Sequence, residues 1–105
     1  MKSIIKGNES LKCHCCGRYV GVPHKHHIFG GANRKWSEYY GLWVYMCPQC
    51  HNIGNHCVHQ DKELMQQYHE IGQKAFEADY MKTHNIPTEE AARNEFRRVF
   101  GKSYL

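Results

Sequence analysis

The chain has 105 residues, 41% of them apolar, with a mean hydropathy of −0.74 and a net charge of +4 when histidine is neutral. That length fits a single domain, residues 1–105, whose thin core would profit from a metal staple. No run is long and apolar enough to span a bilayer, and the mild basic excess admits a polyanionic partner without requiring one.

Residues 1–9 are polar, carry no long apolar leader stretch, and are expected to fray. Residues 10–60 form a segment rich in Cys, His, Gly and aromatics that does not read as regular helix. Tyr19, Val20 and Val22 suggest a short strand ending at Pro23, and Gly30, Gly31, Ala32 and Asn33 mark a loop. Residues 42–46 (LWVYM) are a β-prone run entering a cysteine pair. Beyond Gln60 the period changes. Leu64, Met65, Tyr68, Ile71, Ala75 and Phe76 recur at helical steps, predicting a helix from an Asp61 N-cap to about Thr83. Asn85 and Pro87 interrupt it. Thr88 then caps a second helix, with Glu89 and Glu90 at its positive end, Ala92, Phe96, Val99 and Phe100 on its apolar face, and Gly101 as its stop. The expected class is α+β, a small zinc module (10–60) followed by two packing helices (61–105).

Six cysteines and nine histidines are the unusual feature. Cys13-x-x-Cys16-Gly17 and Cys47-Pro48-Gln49-Cys50 repeat one spacing, and four thiolates so arranged suit a tetrahedral, purely structural zinc. Gly17 lets the chain turn tightly, so that backbone amides face the sulfurs. A register shift onto Cys15 is the alternative; Cys15 and Cys57 otherwise read as small buried or half-buried thiols. A secreted disulfide framework is a further reading, disfavoured by the paired clustering. Reduced thiols and a cytoplasmic setting are expected.

Between the pairs lies His24-Lys25-His26-His27-Ile28-Phe29-Gly30-Gly31, and His51 directly follows Cys50. Over roughly residues 13–60 this order resembles the HNH, or ββα-metal, treble-clef endonucleases, including small phage-encoded members. The resemblance implies a metal-dependent phosphodiesterase acting on DNA, with a role in phage genome processing and a bacterial host cytoplasm as its setting. It implies His26 as a metal ligand, His27 as general base and His51 as a second ligand, around Mg, Mn, Ni or Zn. Adjacent strand residues point to opposite faces, so His26 and His27 can divide these tasks. The family's middle asparagine, which braces the loop and the catalytic histidine, has no counterpart here: the place reads Tyr40-Gly41-Leu42-Trp43, and Asn33 lies in the glycine loop. If residues 51–59 are helical, His51, Asn55 and His59 share a face, and His59 is preferred as third ligand because imidazole suits transition metals.

Lys25, Arg34 and Lys35 flank this site as candidate phosphate contacts; Arg93, Arg97 and Arg98 on the last helix, with Lys102 just beyond it, are further candidates. Trp36, Tyr39 and Tyr40 either stack on bases or cover the core. His14, His24, His69 and His84 read as solvent-exposed or satisfied core histidines, and His56 is open. The competing functional reading is a catalytically inactive zinc module that binds DNA or a phage or host protein, in recombination, regulation or anti-defence.

Overall fold

The computed structural model describes residues 1–53 and 57–105. Strand β1 (His24–His27) pairs antiparallel with β2 (Trp43–Met46) in the register His24–Met46, Lys25–Tyr45, His26–Val44, His27–Trp43. Helix α1 (Arg34–Tyr40) lies between them, entered by a 3₁₀ turn (Gly31–Asn33). A π-helical turn (Gln49–Ile53) follows β2, and helices α2 (Lys62–Thr83) and α3 (Glu89–Phe100) complete an α+β fold.

Both long helices follow their sequence signals. Asp61 accepts from the Leu64 N–H at the start of α2, Thr88 accepts from the Ala91 N–H at the start of α3, and Gly101 ends α3 in the left-handed region. The expected strand at residues 19–22 is corrected. That segment contributes only a bridge between Lys12 and Tyr19, Val22 is 81% exposed, and the regular strand begins just past Pro23. His-Lys-His-His has little strand propensity of its own; β2 is the partner that selects it. The expected loop at 30–33 is a 3₁₀ turn leading into the unforeseen α1. Trp36 and Tyr40, one turn apart, turn this helix onto the core, and Tyr40 packs on Phe76 with ring centroids 5.0 Å apart. Gly41 stops α1 at φ +71°, where the Lys2 carbonyl passes too close for a Cβ.

The N-terminal segment does not fray. The outer edge of β2 is closed by side chains: Ser3 Oγ donates to Trp43 O (2.6 Å), and Asn8 donates to the same carbonyl while accepting from Tyr45 N–H (2.8 Å). Ile4 N–H reaches Gly41 O (2.9 Å), and Ile5 is buried. Polar residues thus satisfy an edge that would otherwise invite another strand.

The core joins both parts of the chain. Ile28, Phe29, Leu42, Val44 and Met46 pack with Tyr68, Phe76, Phe96 and Phe100. Phe29 sits at its centre, with ring centroids 4.7 Å from Phe100 and 5.3 Å from Phe96. Burying one such ring stabilises the fold by about 1.5–3 kcal/mol. Glycine at position 72 lets α2 approach this ring: an added Cβ would fall 2.9 Å from Phe29 and 2.8 Å from Ile28.

Candidate metal centres and the histidine groove

The Sγ atoms of Cys13, Cys16, Cys47 and Cys50 all lie within 4.8 Å of one another. Cys16 and Cys47 are 3.8 Å apart, and a tetrahedron with Zn–S bonds of about 2.3 Å places its sulfurs about 3.8 Å apart. The chain is built around this spacing. Gly17, at φ +77°, closes a turn onto Cys13 O, and Cys16 N–H points at Cys13 Sγ (3.5 Å). Burial pushes the Cys13 thiol up, but the amides of Cys16 and Cys47, the Cys16 thiol and the Cys15 amide outweigh it and bring it down to about 7. Burial and hydrogen bonds from the neighbouring thiols push Cys50 strongly upward. Four crowded sulfurs cannot all ionise by themselves, and a divalent cation lets them do so together. The donor set therefore fits a structural zinc. No cysteine is in a disulfide, Cys57 is buried, and Cys15, read as at least half-buried, is exposed.

A second group consists of His26, His51 and His59, whose candidate ligand nitrogens also lie within 4.8 Å of one another. Ring centroids are 5.2 Å apart for His26–His51, 4.9 Å for His51–His59 and 5.3 Å for His26–His59. His26 comes from the inward face of β1 and His51 from the π-helical turn, whose His51 N–H is held by Cys47 O. His59 arrives differently from expectation. Residues 58–60 form a turn rather than a continued helix, tied back by Val58 N–H to Cys50 O (2.7 Å) and Gln60 N–H to Cys57 O (3.0 Å). Asn55 and His56 lie outside the described residues. Burial, then the neighbouring imidazoles, holds His26 down at about 3 and His51 at about 4. Both are thus neutral at pH 7, the form that binds metal. Three imidazoles suit a transition metal with open positions remaining.

His24 is not a bystander. It shares the inward face of β1 with His26, and its Nδ1 lies 3.1 Å from His51 Nδ1. The i, i+2 spacing of His24 and His26 was the available signal. Of the other histidines read as solvent-exposed or satisfied in the core, His14 bonds Tyr68 OH (2.8 Å) and Lys6 O (3.1 Å), His69 stacks on Phe29, and the exposed His84 stacks on Tyr80.

His27 faces the other way. Its Nε2 lies 2.9 Å from Glu38 Oε1, which also accepts from Lys25 Nζ (2.7 Å), the other outward residue of β1. Lys25 further lies over the Trp43 ring at 4.2 Å, so this candidate phosphate contact is held along the strand. Arg34 Nε approaches His27 Nδ1 at 3.4 Å. His27, Gly31, Ala32, Arg34, Lys35 and Glu38 line an open groove of about 500 Å³. Sequence reasoning missed Glu38, because a lone acid in RKWSEYY carries no motif. It also missed Ser37. Fully buried, Ser37 Oγ accepts from Phe29 N–H (2.9 Å) and donates to Phe29 O (2.8 Å), fixing the chain two residues beyond His27. Asn33 instead ties its loop to α3 through Phe100 O (3.0 Å).

The basic residues of α3 and Lys102 just beyond it stand apart. Arg93 pairs with Glu77 (3.2 Å), Arg98 with Glu95, Arg97 with Asn94, and Lys102 lies over Tyr104. Trp36 and Tyr40 cover the core, while Tyr39 is 65% exposed. Among the described residues no helix is long and apolar enough to cross a membrane. No protein-family model, curated protein or solved structure matches the chain.

Proposed function

We propose that the protein is a metal-dependent endonuclease of the HNH type, hydrolysing phosphodiester bonds in DNA. The observation that carries this reading is the three-histidine cluster of His26, His51 and His59, with His27, the next residue along β1, on the strand's other face in a groove lined by Arg34 and Lys35. His26, His51 and His59 would hold a divalent metal, which when bound supplies positive charge to the phosphate and the departing oxygen. Cys13, Cys16, Cys47 and Cys50 would hold zinc as scaffold.

The chain's own residues account for the rest. Arg34 and Lys35 draw the phosphate backbone into the groove. His27 takes a proton from water: an O–H bond breaks, an N–H bond forms, and the imidazole becomes imidazolium beside Glu38. The hydroxide oxygen bonds to phosphorus, and the P–O bond to the departing sugar oxygen breaks. Its electron pair leaves with that oxygen, which is protonated from solvent. Ser37 supplies the brace behind His27 that the family draws from its middle asparagine. A place in phage genome processing follows from the resemblance alone.

The test is nicking of supercoiled plasmid by zinc-loaded protein given Mn, Ni or Mg, beside His27→Ala of equal zinc content. Nicking that needs the added metal and disappears in a folded His27→Ala supports the assignment. If wild type never nicks, or the variant nicks equally, the reading fails and a non-catalytic DNA- or protein-binding module replaces it.

A further inference from the structure

Both ring nitrogens of His27 are engaged, by side chains of opposite character. A carboxylate only accepts, so Glu38 Oε1 at 2.9 Å from Nε2 places the ring proton on that nitrogen. A guanidinium only donates, so Arg34 Nε at 3.4 Å from Nδ1 faces a lone pair there. Two partners thus specify one tautomer independently. Both come from α1, where positions 34 and 38 are one turn apart and grip the ring from either side.

Their strengths differ. Glu38 is secured by Lys25 Nζ at 2.7 Å on the same oxygen, and the bonds from Lys25 and then His27 hold its carboxyl down at about 2. The contact from Arg34 is long for a hydrogen bond, which is normally about 2.7–3.2 Å. Its acceptor is an imidazole, whereas a phosphate offers a guanidinium two charged acceptors at once. Arg34 also lines the open groove, next to Lys35.

We propose that Arg34 caps His27 Nδ1 in the free protein, and that a phosphodiester entering the groove draws the guanidinium away and uncovers that nitrogen while Glu38 keeps the proton on Nε2. This rests on the nuclease reading for its use, but not for its detection. The proton-accepting atom is covered until the substrate class itself removes the cover. Glu38 is a positioning residue, acting through His27.

The experiment follows the His27 ring nitrogens by long-range proton–nitrogen correlation at a pH above the ordinary histidine range of about 6.5. It uses zinc-loaded protein with and without a short DNA duplex, and no further metal. The expected wild-type result is the Nε2–H tautomer in both states, with the Nδ1 resonance shifting when duplex is added. Arg34→Ala should show the shifted position before any duplex is added. Glu38→Ala should give mixed tautomers, and Glu38→Gln should restore part of the single one. In nicking assays, Glu38→Ala should lower kcat about tenfold or more with KM little changed, whereas Arg34→Ala should chiefly raise KM. An Nδ1 signal indifferent to duplex and to Arg34→Ala, or a tautomer unchanged in Glu38→Ala, overturns the proposal even if wild type cuts DNA. The expected spectra in a protein that never nicks would uphold the capped nitrogen and remove the nuclease reading alone.

Discussion

Ser37→Ala is the substitution through which the structure makes its sharpest claim. The hydroxyl is fully buried and is the partner of both backbone groups of Phe29, at 2.9 Å from its N–H and 2.8 Å from its carbonyl. Alanine preserves the volume within one oxygen atom and leaves two buried backbone groups unpaired. Each such group costs about 1–3 kcal/mol, so the variant should lose about 2–6 kcal/mol. With a urea slope of about 1–1.5 kcal/mol per molar for a domain of this size, the midpoint should drop by about 1.3 M or more. The measurement is urea denaturation in excess zinc, with Thr83→Ala as control. Thr83 makes an exposed bond to Asp79 O, and its loss should stay within about 0.5 kcal/mol. Because Phe29 stands two residues beyond His27, DNA nicking by the folded variant should also weaken. A stability loss below about 0.5 kcal/mol would refute the argument that this hydroxyl braces the loop.

Other expectations follow from the same geometry. Gly72→Ala would gain about 1 kcal/mol of helix propensity but place a methyl 2.8 Å from Ile28 and 2.9 Å from Phe29. Overpacking costs about 1–3 kcal/mol, so the variant should melt lower; a higher melting temperature contradicts the packing. One zinc should remain bound through gel filtration. Stripping it, or Cys47→Ser, should abolish the near-ultraviolet signal of the aromatic core, whereas a metal-free protein with an unchanged melt would exclude the structural role. His26 lies at about 3 when folded against an ordinary 6.5, so the unfolded chain binds the extra proton between these values. Stability is therefore whole above about pH 6.5 and falls as pH drops below it. With the histidine site metal-free, calorimetry from about pH 7 to about pH 5.5 should show this fall, and His26→Gln should lessen it. An unchanged slope in the variant would show that His26 is not its source.

What could be read from the sequence is what depends on neighbours along the chain. The caps Asp61 and Thr88, the apolar spacing of α2 and α3, and the Gly101 stop are local, and each stands where its signal placed it. The cysteine spacing was legible for the same reason, since two residues between thiols suffice to present both to one ion. The histidine cluster was half legible. His26, His51 and His59 do converge, but His59 does so through a turn.

Residues whose meaning depends on contacts between segments stayed hidden. His24–His27 carries little strand propensity, and becomes β1 because β2 needs a partner on the side that the N-terminal segment leaves open. Helix α1 has seven residues, too few to stand alone, and exists because Trp36 and Tyr40 reach the core. Only once α1 lies against β1 does Ser37 meet Phe29, and only then do Glu38 and Arg34 meet the two nitrogens of His27. Sequence alone therefore determined the two cysteine pairs and the two long helices. Tertiary packing decided which polar side chains face one another across those elements, because such contacts are set by the spacing of elements in space and leave no period or motif along the chain.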